Sequence, residues 1–163
     1  LASIHESSVA ELELEKHPEG GYYKEVYRSA GTFDNGIKAK RNFSTSIYFL
    51  LKGDEVSNFH RIKSDEVWHH YTGSSVRIFM ISTNGIINTR SLGKNISAGE
   101  VFQFVIPAGV WFSAAVIDKD SFTLVGCTVS PGFDFEDFEL ASGKTLLSEY
   151  PQHAELINRF TNS

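Results

Sequence analysis

Histidine is the residue type in this chain most suited to proton transfer or metal binding near neutral pH, and six are present among 163 residues. Three of them, His60, His69 and His70, lie close together near the middle of the chain, with Glu66 between them. These four residues form the only compact cluster of acid–base or metal-binding groups in the sequence. The other three lie in or beside predicted terminal helices, where we expect solvated side chains: His5, His17 and His153.

The alternation of side chains along a β-strand sorts this cluster. If the two segments are extended, alternation gives two shared faces: Asn58 with His60 on the first strand, and Glu66, Trp68 and His70 on the next. Such polar groups need partners, a ligand or water when they are buried. The pattern predicts a polar pocket in the mouth of a β-barrel, with a structural hydrogen-bonded network as the alternative.

The elements that must position these residues are mainly strands. Short segments rich in Val, Ile, Phe and Tyr recur about every ten residues, which predicts an all-β sandwich or barrel. Helices are expected at the two ends, over 3–16 and 151–160, around a core of about 18–132 in a single domain. The nine predicted strands are Tyr22–Tyr27, Ser46–Leu51, Ser57–Arg61, Glu66–Tyr71, Val76–Ser82, Ile86–Leu92, Val101–Ile106, Trp111–Val116 and Phe122–Val129.

Composition excludes several classes of function. The formal net charge of −5 argues against binding to nucleic acids or anionic membranes, and no apolar run reaches the length of a spanning helix. Cys127, the single cysteine, excludes an intrachain disulfide and predicts an inert, buried thiol in a reducing, cytoplasmic location. The sequence contains no phosphate-binding glycine loop and no nucleophile elbow.

Two spaced motifs resemble those of the cupin superfamily, which are small jelly-roll β-barrels with a site inside the barrel. The first is Gly53, His60, Glu66 and Gly73, and the second is Gly99, Pro107 and Gly109. The resemblance implies that His60 and Glu66 stand at two of four usual metal-ligand positions. Ile62 and Phe112 occupy the positions of the other two histidines, which favours a function without a metal ion. If a metal is bound, His70 is the best substitute ligand, because alternation puts it on the same face as Glu66.

A narrower resemblance covers about residues 10–155. The stretch from His17 to Ser29 (HPEGGYYKEVYRS) is similar to the opening of a cupin branch of unassigned function. That branch is more loosely similar to the dehydrorhamnose epimerases, which work without metal and use a histidine base in the barrel. The likeness implies that His60 could be a base, with Glu66 or a strand tyrosine (Tyr23, Tyr27, Tyr48 or Tyr71) as the acid.

We therefore expect a cupin-fold protein that binds a small polar ligand, a sugar or sugar nucleotide, with epimerase or isomerase chemistry and no cofactor. The predicted catalytic residues are His60 and Glu66, and the predicted ligand-binding residues are Tyr23, Glu25, Arg28, Asn58, Trp68, His70, Gln103 and Trp111. One alternative is a metal-dependent enzyme in which His60, Glu66 and His70 bind a divalent ion, and the other is a non-enzymatic binding or storage protein. The resemblance also implies a homodimer that shares the strand at Tyr22–Arg28.

Overall fold

A computed structural model describes residues 4–34, 36 and 39–162, and most of this chain is antiparallel β-structure. The nine predicted strands are all present, so the predicted all-β fold is confirmed; four short strands were not predicted. The strands are β1 (Glu15–Lys16), β2 (Tyr22–Arg28), β3 (Thr32–Asp34), β4 (Lys40–Asn42), β5 (Thr45–Lys52), β6 (Val56–Arg61), β7 (Asp65–Gly73), β8 (Val76–Ile81), β9 (Ile87–Leu92), β10 (Gln103–Ile106), β11 (Trp111–Val116), β12 (Phe122–Ser130) and β13 (Glu139–Leu140).

Eleven of these strands form two sheets. One sheet has the order β1-β2-β5-β12-β7-β10, and the other has the order β13-β6-β11-β8-β9. Strands β3 and β4 form a separate hairpin. Because sequence neighbours such as β5 and β6 lie in different sheets, the chain crosses repeatedly between them, as it does in a jelly roll.

The side chains that point between the sheets form the main core. The inward positions of β5, β7, β8, β11 and β12 contribute large buried apolar residues, including Phe49, Trp68, Ile78, Phe112 and Val125. Each of these five residues is almost inaccessible to solvent. Their alternation with outward-facing residues is the period-2 pattern from which the strands were predicted.

Short helices cover the outer faces of the sheets. The first helix, α1, spans Ile4–Glu11, shorter than the predicted 3–16, of which residue 3 lies outside the described residues. The C-terminal region holds α2 (Gly143–Glu149), which was not predicted, and α3 (Ala154–Arg159). Ile157 and Phe160 pack with Phe59 on the outside of the second sheet. No helix in the described part of the chain is long and apolar enough to cross a membrane.

The turn between β1 and β2 depends on glycine. Gly20 has a φ of 110° and Gly21 a φ of 75°, values that side-chain-bearing residues rarely adopt. A Cβ atom at Gly20 would also overlap the carbonyl oxygen of Val56. The turn is bound to β6 through a hydrogen bond from the backbone N–H of Asn58 to the backbone carbonyl of Glu19, 2.8 Å long. This contact carries the side chain of Glu19 into the barrel.

We predict that Gly20→Ala destabilises the protein by more than about 2 kcal/mol, because both the positive φ and the overlap with Val56 oppose a side chain. The matched control is Gly99→Ala. Gly99 also has a positive φ, of 86°, but a Cβ atom there meets no heavy atom within 4 Å. The control should lose only about 1 kcal/mol. Urea unfolding of both variants measures the difference, and equal losses would contradict the argument.

Candidate active site

A cavity of about 480 Å³ opens at one end of the barrel between the two sheets. Its inner wall is partly apolar, formed by Ile47, Phe49, Ile62 and Val129. Among these apolar residues lie several ionisable side chains, which is the arrangement expected of a ligand or catalytic site. The acidic residues of its lining are Glu15, Glu19, Glu25, Glu66 and Asp134, and the basic ones are His17, Arg28 and His60.

A buried ion pair between Glu19 and His60 lies in the lining of this cavity. The His60 Nε2 atom is 2.7 Å from the Glu19 Oε2 atom, and the two side chains are only 3% and 7% exposed. Burial alone would favour the neutral forms, but the two groups stabilise each other's charges. Despite burial, the neighbouring His60 therefore lowers the pKa of Glu19, and Glu19 raises the pKa of His60.

The second nitrogen of His60 determines how its ring is protonated. The Nδ1 atom is 2.7 Å from the carbonyl oxygen of Asn58, and a carbonyl can only accept, so Nδ1 carries a proton and donates it. The other nitrogen, Nε2, meets a carboxylate. His60 is thus oriented as a cation with a hydrogen bond at each nitrogen, and the Phe112 ring packs against it with the centroids 4.0 Å apart.

His17 lies on the other side of Glu19 and is buried, with a side chain 6% exposed. Its Nδ1 atom accepts a hydrogen bond from the Glu19 backbone N–H, at 3.2 Å, so this nitrogen is unprotonated. Burial lowers the pKa of His17, although the nearby Glu19 charge opposes the shift. The prediction of a solvated His17 was therefore wrong, because the turn at Gly20 folds this residue back over the barrel mouth.

The second buried carboxyl group, Glu66, comes from β7 and is 8% exposed. Its Oε1 atom accepts a hydrogen bond from the Trp68 indole, 3.0 Å long. Burial raises the pKa of Glu66 to about 7, in spite of the opposing charge of His60. Beside it, burial and the charge of Glu66 raise the pKa of the Cys127 thiol, which agrees with the expected inert cysteine. Two carboxyl groups in one cavity therefore have pKa values displaced in opposite directions.

Residues 133–138, which follow β12 and which we call the aromatic segment, cover part of the cavity mouth. Phe133, Phe135 and Phe138 line the cavity, and the ring of Phe138 is 5.6 Å from that of His60 between centroids. Arg41 holds the segment in place, because its guanidinium donates to the Asp137 carboxylate at 2.7 Å. Arg41 is only 7% exposed, so this is a partly buried ion pair that connects the β3–β4 hairpin to the aromatic segment.

Five of the predicted site residues line this cavity: His60, Glu66, Tyr23, Glu25 and Arg28. Among the four strand tyrosines, Tyr23 is the one in the lining. Tyr48 and Tyr71 contact each other on the outer face of the first sheet, and Tyr27 is 55% exposed.

The structure places Asn58 outside the cavity, because strand β6 is irregular. Ser57 pairs with Ala114 and His60 with Phe112, so two residues of β6 lie opposite one residue of β11, which is the geometry of a β-bulge. The bulge turns Ser57 and His60 inward together and interrupts the expected alternation. The side-chain amide of Asn58 instead donates to the side-chain oxygen of Asn162, at 3.2 Å.

Trp68 and His70 are buried on the same side of β7 as Glu66, as predicted, but they lie farther along the barrel. Trp68 packs in the core and reaches the site only through its hydrogen bond to Glu66. The His70 Nε2 atom is 3.0 Å from the carbonyl oxygen of Ser74. Neither residue lines the cavity. Alternation predicts on which face of the strand a side chain lies, but not how far along the barrel it lies.

Gln103 and Trp111 also lie elsewhere. Gln103 is exposed on β10, the edge strand of the first sheet. Trp111 belongs to the cluster between the second sheet and the C-terminal helices, and the Arg61 guanidinium lies 4.3 Å from its ring centroid. Both were predicted from residue type alone, which does not determine the side of the sheet.

Sequence reasoning missed Glu19, the residue closest to His60. The signal was present in the Pro18-Glu19-Gly20-Gly21 stretch, because two consecutive glycines mark a tight turn that can bring backbone close to a strand. The strand against which this turn packs could not be predicted, because β6 lies about 40 residues later in the chain.

His60, Glu66 and His70, the three metal ligands considered from the sequence, are not arranged around a common metal position. As a cation, His60 carries a proton on each nitrogen and donates to the Asn58 carbonyl and to Glu19, so it offers no lone pair to a metal, and His70 is bonded to Ser74 outside the cavity. Among the described residues, no group of three or more His, Cys, Asp or Glu side chains has an arrangement that could hold a metal ion. These residues therefore do not fit the three-ligand centre considered from the sequence.

We predict that Glu66→Gln changes the pH dependence of stability. The pKa of Glu66 is about 7 in the folded protein against an ordinary 4.5, so the folded state binds this proton more tightly. Ionising the group therefore costs the wild type up to about 3 kcal/mol as the pH rises from 4.5 through 7. The variant lacks this loss, and its stability relative to wild type should increase over that interval.

Urea unfolding of both proteins at pH 5 and pH 8 measures this effect. Glu149→Gln, at an exposed position on α2, is the matched control and should follow the wild type at both values. A stability difference between Glu66→Gln and wild type that is the same at pH 5 and pH 8 would contradict the raised pKa.

Comparison with known proteins places the chain in a family. A family described as "Cupin superfamily (DUF985)" matches residues 6–141. An uncharacterized protein of Saccharomyces cerevisiae, YML079W, is 31% identical over 150 residues, which covers 83% of this chain and 74% of the yeast protein.

Solved structures show the same similarity. Protein SO0799 from Shewanella oneidensis is 44% identical with a TM-score of 0.90, and the match covers 99% of both chains. A hypothetical protein from Leishmania major is 33% identical with a TM-score of 0.93, over 99% of this chain and all of the other.

A more distant match has the same fold only. Oxalate decarboxylase from Bacillus subtilis is 16% identical with a TM-score of 0.57, and the match covers 89% of this chain and 36% of the enzyme. From its family match and its close relatives, the chain belongs to the cupin superfamily, in the branch described as DUF985.

Proposed function

We propose that this protein binds a small polar ligand in its barrel cavity and transfers protons to and from it without a metal ion. The observation that carries the proposal is the presence in one cavity of two buried carboxyl groups with different partners, Glu19 paired with His60 at 2.7 Å and Glu66 bonded to the Trp68 indole at 3.0 Å, with pKa values displaced in opposite directions. Two titratable groups that differ in this way are suited to act as an acid and a base in one reaction.

The resemblance implied His60 as the base, but His60 is held as a cation between Asn58 and Glu19, so Glu66 is the group we assign to the first proton transfer. Because its pKa is about 7, it is divided between its acid and base forms near neutral pH. Its carboxylate takes a proton from a carbon next to a carbonyl group, and the C–H electron pair forms an enolate. The Glu19–His60 pair holds a second proton. Returned to the same carbon from the opposite face, this proton re-forms the carbonyl group with inverted configuration at that carbon, which is epimerisation. In an α-hydroxy carbonyl compound the pair can instead protonate the enolate oxygen to give an enediol; Glu66 then returns the proton it took to the former carbonyl carbon while the other hydroxyl gives its proton back to the pair, which is isomerisation.

The lining supports a sugar-like ligand better than a sugar nucleotide. Tyr23 and the phenylalanines at the mouth offer faces on which a sugar ring can stack. Arg28 was the expected phosphate-binding residue, but its guanidinium donates to Glu25 at 2.6 Å, to Asn42 at 2.8 Å and to the Phe133 carbonyl at 3.0 Å. With its charge compensated in this way, Arg28 is poorly placed to bind a diphosphate.

The predicted homodimer and reducing compartment remain proposals. Several apolar side chains are about half exposed in or beside strands of the first sheet, among them Val26, Tyr27 and Tyr71, and burial of such residues would favour pairing. A buried, single cysteine agrees with a reducing, cytoplasmic location.

Solvent hydrogen exchange tests the proposed chemistry. Neutral ketoses such as fructose and tagatose are incubated with the protein in D₂O, and proton NMR follows loss of the signal next to the carbonyl. We expect exchange by the wild type and by the control Glu149→Gln. Glu66→Gln and His60→Ala should be at least about 100-fold slower, the usual contribution of general acid–base catalysis.

The other functions predict different results in the same assay. Exchange that disappears with EDTA and returns with Mn²⁺ would favour a metal-dependent enzyme. Sugar binding without exchange in the wild type would favour a non-enzymatic binding protein. Exchange that is unaffected by Glu66→Gln would contradict the assignment of Glu66.

A further inference from the structure

The cavity lining presents far more hydrogen-bond acceptors than donors. Among the described residues that line it, five carry carboxyl groups and one carries a guanidinium. Two of the carboxyl groups are at least nine-tenths buried inside the cavity, Glu19 at 5% exposed and Glu66 at 8% exposed. An anionic ligand that entered this space would meet like charges where water screens them weakly.

The positive groups of the lining are already engaged. His60 is paired with Glu19 at 2.7 Å, and Arg28 is bonded to Glu25 and to two other acceptors. The buried Nδ1 of His17 is occupied by the Glu19 backbone N–H. The same bonds compensate Glu19 and Glu25, and Asp134 lies 3.8 Å from Arg41, so the remaining negative charge of the lining comes from Glu15 and from the ionised form of Glu66.

Aromatic rings surround the same space. The His17 ring lies 4.7 Å from that of Tyr23, 6.1 Å from that of Phe135 and 5.7 Å from that of Phe138, between centroids. Phe135 is half exposed at the mouth, where a ligand would pass it. Aromatic faces attract organic cations, and this attraction is strongest where water is excluded.

From these three observations we infer that the cavity selects a ligand that carries an ammonium group, such as an amino sugar, over the uncharged and anionic forms of the same scaffold. The buried carboxyl groups and the rim supply acceptors and charge for the ammonium, and the rings supply π-faces for it. The inference rests on the proposed function in one respect only, that the cavity is the ligand site.

A charge series on one pyranose scaffold tests the inference. D-glucosamine, D-glucose and D-glucuronate differ mainly in charge, and their binding is measured by isothermal titration calorimetry and by amide chemical shifts at pH 7. We expect affinity to fall in that order, and we expect only the glucosamine affinity to fall with added salt. Equal or tighter binding of glucuronate would overturn the inference, and so would an absence of glucosamine binding at millimolar concentration.

A rim variant keeps the test independent of folding. Glu15 lines the mouth and is exposed, so Glu15→Gln should leave the fold intact. This variant should weaken glucosamine binding roughly two- to fivefold, the range of an exposed ion pair, and leave glucose binding unchanged. Glu149→Gln, remote from the cavity, should change neither; an equal effect of the two substitutions would also count against the inference.

The outcome separates this inference from the proposed function. If glucuronate binds more tightly while Glu66-dependent exchange persists, the ligand class is wrong and the chemistry stands. If the charge order holds while no exchange is found, the ligand class stands and the chemistry is wrong.

Discussion

The site of this protein depends on one buried ion pair, between Glu19 and His60. Two charges removed from water are stable only when they compensate each other and their remaining hydrogen bonds are made. The 2.7 Å contact between the two side chains and the Asn58 carbonyl at the other nitrogen meet that requirement for His60. The pair in turn sets the electrostatic surroundings of Glu66, whose carboxyl group is left to titrate near neutral pH.

Several irregular features of the fold serve this pair. The glycine turn at Gly20 brings Glu19 against β6, and the bulge in β6 turns His60 inward beside Ser57. Phe112, which stands where cupins usually have a metal-binding histidine, packs against the His60 ring instead. An apolar ring at that position and a carboxylate at the histidine nitrogen are the features on which our proposal of metal-free proton transfer rests.

The regular parts of the fold could be predicted from sequence, because period-2 hydrophobicity directly reflects which side of a sheet is buried. The same rule correctly put Glu66, Trp68 and His70 on the inner face of β7. It could not give their depth, and so it could not separate Glu66 at the cavity from His70 beyond it. The prediction that Asn58 lines the cavity failed for a different reason, because the bulge in β6 breaks the alternation on which that prediction rests. Glu19 was missed because its role exists only after the first turn has docked on a distant strand.

The aromatic segment shows the same limit. Its alternation of phenylalanines and acids was visible, but its position depends on Arg41, which comes about 95 residues earlier in the chain. Long-range ion pairs of this kind leave no local pattern in a single sequence. The closure of the cavity mouth is therefore a property of the folded chain that neither segment reveals alone.

The most direct test of this account is the protonation of His60 measured by ¹⁵N NMR of the imidazole ring, with His60→Gln used to assign the signal. The account predicts a titration midpoint above the ordinary 6.5 in the wild type, with both nitrogens protonated below that midpoint. In Glu19→Gln the midpoint should fall below 6.5, because burial then acts without the compensating charge. A wild-type midpoint below 6.5, or one that Glu19→Gln leaves unchanged, would contradict the ion pair.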